Sequence, residues 1–347
     1  MGFWEGKRVL ITGHTGFKGG WLTIWLKSLG ADICGISLAP NTSPALFDLA
    51  NVDEGIEHHI QDIRDGLSTA AIIQKFDPEI VFHLAAQPLV RASYRDPLGN
   101  FDTNIMGTAH VLDALRDCEA VKSIVVVTTD KVYENLETGQ AYQESDHLGG
   151  HDPYSASKAA AEIVTQSYRK SFFDERGVNM ASARAGNVIG GGDWSEDRLI
   201  PDAVKAWGAG EALEIRSPSS VRPWQHVLEP LHGYMVLAQK LWECADYNEG
   251  WNFGPDANGA VAVKDVIEIA RAVYGECDVK YGTNDGPHEA GLLMLDNTKA
   301  KSRLGIAPVW DIQSTVEKTF EWYKAVREGG DARALCLSQI KEFSDAV

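Results

Sequence analysis

Two clusters in this sequence have residue types suited to proton transfer. Thr129-Asp130-Lys131 places a hydroxyl, a carboxyl and an amine side by side. Tyr154 and Lys158 stand four residues apart, so on a helix they share one face. A free phenol, with a pKa of about 10, is too weakly acidic to serve as a base at neutral pH, and a nearby positive charge favours the phenolate. Alone, each cluster reads equally as structure. The first fits a polar turn with capping residues, and the second an exposed aromatic beside a solvated lysine.

The elements around them favour chemistry. Ser123-Ile124-Val125-Val126-Val127-Thr128 is a β-branched apolar run, the pattern of a strand buried on both faces. Ligands of open α/β sheets bind beyond the carboxyl ends of the strands, which is where Thr129 to Lys131 would sit. Pro153 opens a helix that carries Tyr154 and Lys158. Earlier in the chain, Arg8–Thr12 reads as a strand and Trp21–Leu26 as a helix ending at Gly30. Between them lies Gly13-His14-Thr15-Gly16-Phe17-Lys18-Gly19. Strand, glycine loop and helix form the setting of a dinucleotide site: Gly13 for the tight turn, Gly16 for backbone approach to a pyrophosphate, Gly19 for close packing of helix on strand.

A second strand, Asp32–Ser37, should end at the adenosine ribose, with Ser37 where an acidic residue would mark NAD. A third should end in Ile60-Gln61-Asp62-Ile63-Arg64, with Asp62 and Ile63 near the adenine. The fourth, Glu79–Ala86, ends in Leu84-Ala85-Ala86, small enough to leave room for a cofactor. A sixth strand is expected over Val178–Asn187, then a glycine-rich loop to Trp194 and a helix after Asp197–Pro201. Further helices are expected over Val263–Tyr274 and Asp311–Arg327. Strands alternating with helices predict an α/β fold, a Rossmann-type doubly wound parallel sheet with a smaller C-terminal lobe. The expected division is residues 1–186 for the dinucleotide domain, with returns near 222–253, and 187–347 mainly for the substrate lobe.

Composition narrows the partners. The 347 residues carry a net charge of −17, which argues against nucleic acid or an anionic membrane as the main partner. No apolar run is long enough to span a bilayer. Five cysteines without CxxC spacing suit reduced thiols in the cytoplasm and give no metal site. A strand by about Arg8 leaves no room for a signal peptide.

The glycine triplet, Asp62, Thr129 and Tyr154-xxx-Lys158 together resemble the extended short-chain dehydrogenase/reductase family, the NAD-dependent epimerases and dehydratases. The resemblance spans essentially the whole chain. It sharpens toward the nucleotide-sugar 4,6-dehydratases at Arg184-Ala185-Gly186-Asn187-Val188-Ile189-Gly190-Gly191-Gly192-Asp193-Trp194 and Arg222-Pro223-Trp224-Gln225-His226-Val227. It implies NAD as cofactor and CDP-glucose as substrate. The reaction would be C4 oxidation, loss of water across C5 and C6, and return of hydride to C6.

In that scheme Tyr154 takes the C4 hydroxyl proton, Lys158 supports it and holds the nicotinamide ribose, and Thr129 binds the C4 oxygen. Asp130 is the acid at C6 and Lys131 the base at C5. Related dTDP-glucose and GDP-mannose enzymes carry a glutamate where this chain has Lys131, so the base is a departure. Gly13, His14, Thr15, Gly16, Phe17, Gly19, Ser37, Asp62, Ile63, Leu84, Ala85 and Ala86 would contact NAD together with Tyr154 and Lys158. Gln87, Ser93, Asn187, Arg198 and Arg222 would bind substrate, with Arg91 and Tyr94 near the sugar. The imidazole of His14 is expected to crowd the pyrophosphate loop. The family also implies a homodimer through a four-helix bundle, made by the helices after Asp96 and Tyr154, and a place in deoxysugar biosynthesis of the kind that serves lipopolysaccharide O-antigen. The competing readings are a 4-epimerase, in which Asp130 and Lys131 are spectators, and a non-catalytic nucleotide-binding scaffold.

Overall fold

A computed structural model describes residues 2–136, 139–256, 259–275, 277–282 and 293–347. Its strands are β1 (Arg8–Thr12), β2 (Asp32–Ser37), β3 (Glu57–Ile60), β4 (Ile80–His83), β5 (Ser123–Val127), β6 (Asn179–Ala185), β7 (Asn187–Ile189), β8 (Leu213–Ile215), β9 (Val221–His226), β10 (Gly250–Phe253), β11 (Ala260–Ala262) and β12 (Val279–Tyr281). Seven of them form one sheet in the order β10-β6-β5-β4-β1-β2-β3, every pairing parallel. This is the Rossmann-type sheet expected. The chain order reverses between β1 and β4, which opens a crevice at their carboxyl ends.

All five residues of β5 are buried, as a strand covered by helices on both faces requires. The helix Pro153–Tyr168 begins where its letters say it should. The Asp152 carboxylate accepts the Ser155 N–H at 2.9 Å, and Pro153 occupies the first helical position. That cap fixes the phase of the helix and so turns Tyr154 and Lys158 toward the end of β5.

The third strand departs from expectation. It spans Glu57–Ile60, so Asp62 lies in the turn beyond it. As the sheet's edge strand it carries polar residues and lacks the apolar run that marks its neighbours. Val221–His226 does not rejoin the large sheet. It pairs with β7 and β11 in a three-stranded sheet, and Gly250–Phe253 is the segment that returns to the large one.

Among the described residues three imidazoles lie in the interior: His14, His83 and His226, none more than 2 % exposed. Burial pushes them down to about 4, about 3 and about 3. The unfolded chain binds protons on them below pH 6.5 and the folded chain does not, so stability falls as pH falls. Glu229, pushed up to about 7 by burial, acts in the opposite direction over the same range. Folding stability should therefore drop by about 2 kcal/mol between pH 6.5 and 5.5. Urea unfolding at the two pH values checks this, and a flat or rising stability would refute it.

Candidate active site

The crevice is a cleft of about 640 Å³. Thr129, Asp130, Lys131, Tyr154 and Lys158 all line it, together with the glycine loop and the ends of β2 and β4. Thr129, Asp130, Tyr154 and Lys158 are each at least 92 % buried. The Thr129 hydroxyl donates to Asp130 Oδ1 at 2.9 Å, and Lys158 Nζ donates to the Val127 carbonyl at 2.9 Å.

Electrostatics follow from burial. The Asp130 carboxyl is pushed up by desolvation, against the pull of Lys131 and the Thr129 hydroxyl, so it is biased toward holding a proton. The Tyr154 phenol is pushed up to about 12, mainly by burial; the hydrogen bond from Thr129 favours its ionised form and the Asp130 charge opposes it. Lys158 is pushed down to about 8 by burial, against the charge of Glu162. The protein alone thus holds the phenol neutral. A phenolate there needs a further positive charge in the cleft.

Glu162 was not singled out from sequence. It lies one turn beyond Lys158 and ties the helix to two strand ends. It accepts Thr128 Oγ1 at 2.6 Å, Ser182 Oγ at 2.5 Å and Arg184 Nε and Nη2 at 2.9 Å. Its i+4 spacing from Lys158 was the available signal. A second cavity, of about 720 Å³, lies against Glu162 and Arg184 but is lined by none of the strand-end residues, so the chemistry belongs to the first cleft.

Gly186, in the glycine-rich stretch after β6, has a positional reason. A Cβ there would lie 2.8 Å from Asp130 Oδ2. Asp130 is short and buried, so the added methyl must displace the carboxyl itself. Gly186→Ala should lower kcat by roughly tenfold to a hundredfold with an unchanged circular dichroism spectrum. Full-rate turnover in that variant would contradict it.

The structure fits a dinucleotide at the glycine loop. Gly13 has φ +82°, and a Cβ there would stand 2.8 Å from the Ala85 nitrogen at the end of β4. At Gly19 a Cβ would run into the Gly13 carbonyl at 2.1 Å, so this glycine lets helix Phe17–Ser28 sit on the loop. A Cβ at Gly16 would meet only that carbonyl, at 3.3 Å. Thr15, Phe17, Ser37, Asp62, Ile63, Leu84, Ala85 and Ala86 line the cleft as well. Thr15 donates to the Leu38 carbonyl at 2.8 Å and lies 2.7 Å from Ser37 Oγ, which braces the ends of loop and strand together. Asp62 is held by Arg64, with Nη2 to Oδ2 at 2.6 Å, and the Arg64 guanidinium keeps its carboxyl below the usual range.

Three expectations are corrected. His14 does not crowd the pyrophosphate loop. Its ring is 0 % exposed and lies over Gly35, where a Cβ would stand 2.6 Å from it, with Nε2 2.6 Å from His58 Nδ1. The absent side chain at Gly35 makes that space, and the imidazole turns into it, outside the cleft. Ser93 is also 0 % exposed and accepts the Tyr154 N–H at 3.1 Å, so it anchors the start of the helix Pro153–Tyr168. The Gln87 side chain bonds Leu89 in its own loop and Asn100 on the helix Pro97–Phe101, and is not part of the cleft wall.

Asn187, Arg198, Arg222, Arg91 and Tyr94 do line the cleft. Arg198 Nη1 donates to Asp193 Oδ2 at 3.0 Å, and Arg91 Nη1 to Asp197 Oδ1 at 2.9 Å. Two further cations, Lys18 and Arg216, share the wall. Lys18 was passed over as a variable position of the glycine motif. Arg216 follows a three-residue strand that has no periodicity to read.

The comparisons agree with this geometry. The family model described as GDP-mannose 4,6 dehydratase matches residues 10–319. A CDP-glucose 4,6-dehydratase of Salmonella typhimurium is 45 % identical, over 99 % of this chain and 98 % of that protein. A CDP-paratose 2-epimerase of Salmonella typhi is 24 % identical, over 92 % and 100 %. Among solved structures, dTDP-glucose 4,6-dehydratase of Bacillus anthracis in complex with NAD superposes with a TM-score of 0.78 at 21 % identity, covering 95 % of this chain and 100 % of that one. With the match covering nearly the whole chain, and with the glycine cradle and the Tyr154–Lys158 face meeting in one cleft, this chain belongs to the GDP-mannose 4,6-dehydratase family of extended short-chain dehydrogenases/reductases.

Proposed function

We propose that the protein converts CDP-glucose to CDP-4-dehydro-6-deoxyglucose and water. The observation that carries this is the meeting of the Tyr154–Lys158 pair with Asp130 and Lys131 in one cleft. The likeness to a CDP-glucose dehydratase supports the choice of nucleotide. NAD, held at the glycine loop, would supply the hydride acceptor and donor for the sugar and the positive charge that favours the Tyr154 phenolate.

The chain's residues move the protons. Tyr154 accepts the C4 hydroxyl proton, and Thr129 hydrogen-bonds the same oxygen. Lys158 holds the nicotinamide ribose and keeps positive charge beside the phenol. The 4-keto group acidifies C5–H, and Lys131 removes that proton. Asp130, biased toward its protonated form by burial, gives its proton to the departing C6 hydroxyl. Arg198, Arg222 and Asn187 bind the substrate, the arginines through its diphosphate.

A homodimer fits the exposed apolar residues on the two helical segments after Asp96 and Asp152: Leu98 at 79 %, Met106 at 47 % and Ile163 at 61 %. Five free cysteines suit a reducing cytoplasm, and among the described residues no helix is long and apolar enough to cross a membrane. The product would enter deoxysugar biosynthesis.

Incubation with CDP-glucose and NAD, followed by mass spectrometry, tests the reading. Loss of one water with no net consumption of NAD is expected. An isomer of unchanged mass would establish an epimerase instead, and no conversion of CDP-glucose would overturn the substrate.

A further inference from the structure

Cys34, Glu57 and His59 bring three metal-ligating atoms together, each within 4.8 Å of the other two. The sheet is what gathers them. Cys34 on β2 lies directly opposite Glu57 on β3 in the parallel register, and cross-strand partners point to the same face. Glu57 and His59 are two residues apart, so they share that face as well. His58, between them, points to the other face, where it meets His14 over Gly35. Cys34 is fully buried at the floor of the cluster, and Glu57 and His59 are half-buried above it. None of the three lines the catalytic cleft.

The donors are of three kinds, and together they select among metals. A thiolate sulfur, an imidazole nitrogen and a carboxylate oxygen form a set that zinc accepts. The sulfur disfavours Mg²⁺ and Ca²⁺, which take oxygen ligands. Around zinc such ligand atoms stand about 3.3–3.7 Å apart. His59 Nε2 is 2.9 Å from Glu57 Oε1, so small side-chain rotations close the cage while the paired backbones stay in place. One thiolate and one carboxylate neutralise a divalent ion. Asp32, two residues before Cys34, adds a further negative charge nearby. Lys75 opposes it from the helix Gly66–Phe76, with Nζ 3.9 Å from Glu57 Oε1, but its side chain is exposed and can swing into solvent.

We propose that Cys34, Glu57 and His59 form a zinc-binding site, with water as the fourth ligand on the solvent side. Binding forms the Zn–S bond and releases the thiol proton to solvent. The ion cross-links the edge strand β3 to β2, its one neighbour in the sheet. Local spacing in the sequence carries no trace of such a site, because its ligands come from two strands.

The test titrates the metal-free full chain with Co²⁺, whose bond to a thiolate gives a charge-transfer band in the near ultraviolet. Zn²⁺ affinity is then measured in competition with a chromophoric chelator. Wild type should bind one Co²⁺ per chain with that band, and Zn²⁺ should displace it. Cys34→Ala should lose the band. His59→Ala and Glu57→Gln should each lose about tenfold or more in affinity for Zn²⁺. Zn²⁺ should raise the melting temperature of wild type and leave that of Cys34→Ala unchanged.

Absence of the band in wild type would overturn the proposal. So would its persistence in Cys34→Ala, which would place the ion on a more exposed thiol such as Cys244 or Cys277. Zn²⁺ affinity within about threefold of wild type in either His59→Ala or Glu57→Gln would overturn it too. Those two half-buried positions decide the matter even if the buried Cys34→Ala change unfolds the chain.

Discussion

Tyr154→Phe should lower kcat by about a thousandfold or more while leaving the fold intact, since general base catalysis contributes about 10²–10⁴. The substitution removes one oxygen from a ring that is 8 % exposed, so the packing of the helix start is kept. The backbone N–H of residue 154 still donates to Ser93, and Asp152 still caps the helix. Removing a buried hydroxyl whose ionisation is disfavoured in the free protein should leave the melting temperature unchanged or slightly higher. Affinity for CDP should be retained, because the phenol meets the sugar and the diphosphate is bound by arginines. The loss would therefore appear in kcat, the signature of an interaction made in the transition state. Steady-state turnover of CDP-glucose with a parallel titration of CDP separates the two effects. Turnover within about tenfold of wild type would remove Tyr154 from the role of base.

The parts of this site that were legible in the sequence were those whose physics is local. A β-branched run followed by Thr129-Asp130-Lys131 states its own place at a strand end. Pro153 behind Asp152 states where a helix starts, and therefore which way Tyr154 and Lys158 face. The glycines at 13, 16 and 19 describe their backbone because each marks where a Cβ does not fit or has no need to be.

What escaped depends on elements far apart in sequence. His14 was read against its neighbours in the loop, yet its position is decided by the missing side chain of Gly35 on β2 and by His58 on β3. Ser93 and Gln87 follow β4 closely enough to suggest a sugar pocket. Their partners, the Tyr154 N–H for one and Leu89 with Asn100 for the other, turn them inward. Gly186 was read only as part of the sixth strand, because the reason for it, the Asp130 carboxyl, comes from the end of another strand. β3 failed as a pattern because an edge strand has only one neighbour and needs no continuous apolar face.

Asp130 and Lys131 should separate into two partial reactions when each is changed alone. The dehydration requires a base at C5 and an acid at C6, and adjacent residues can do both only if their proton occupancies differ. Burial biases Asp130 toward holding a proton, against the hydrogen bond from Thr129 and the charge of Lys131, while Lys131 is only partly buried at the mouth of the same turn. Asp130→Asn keeps the shape and removes the donated proton. In deuterated water it should still exchange C5–H of CDP-glucose, yet water loss should fall by about a hundredfold or more. Lys131→Met keeps the acid and removes the base, so both the exchange and the water loss should fall by a similar factor. Mass spectrometry of the recovered sugar nucleotide reads deuterium uptake and water loss together. If Asp130→Asn abolished exchange and Lys131→Met preserved it, the two roles would be reversed. If both variants exchanged C5–H and lost water at the wild-type rate, the elimination pair would lie elsewhere in the cleft.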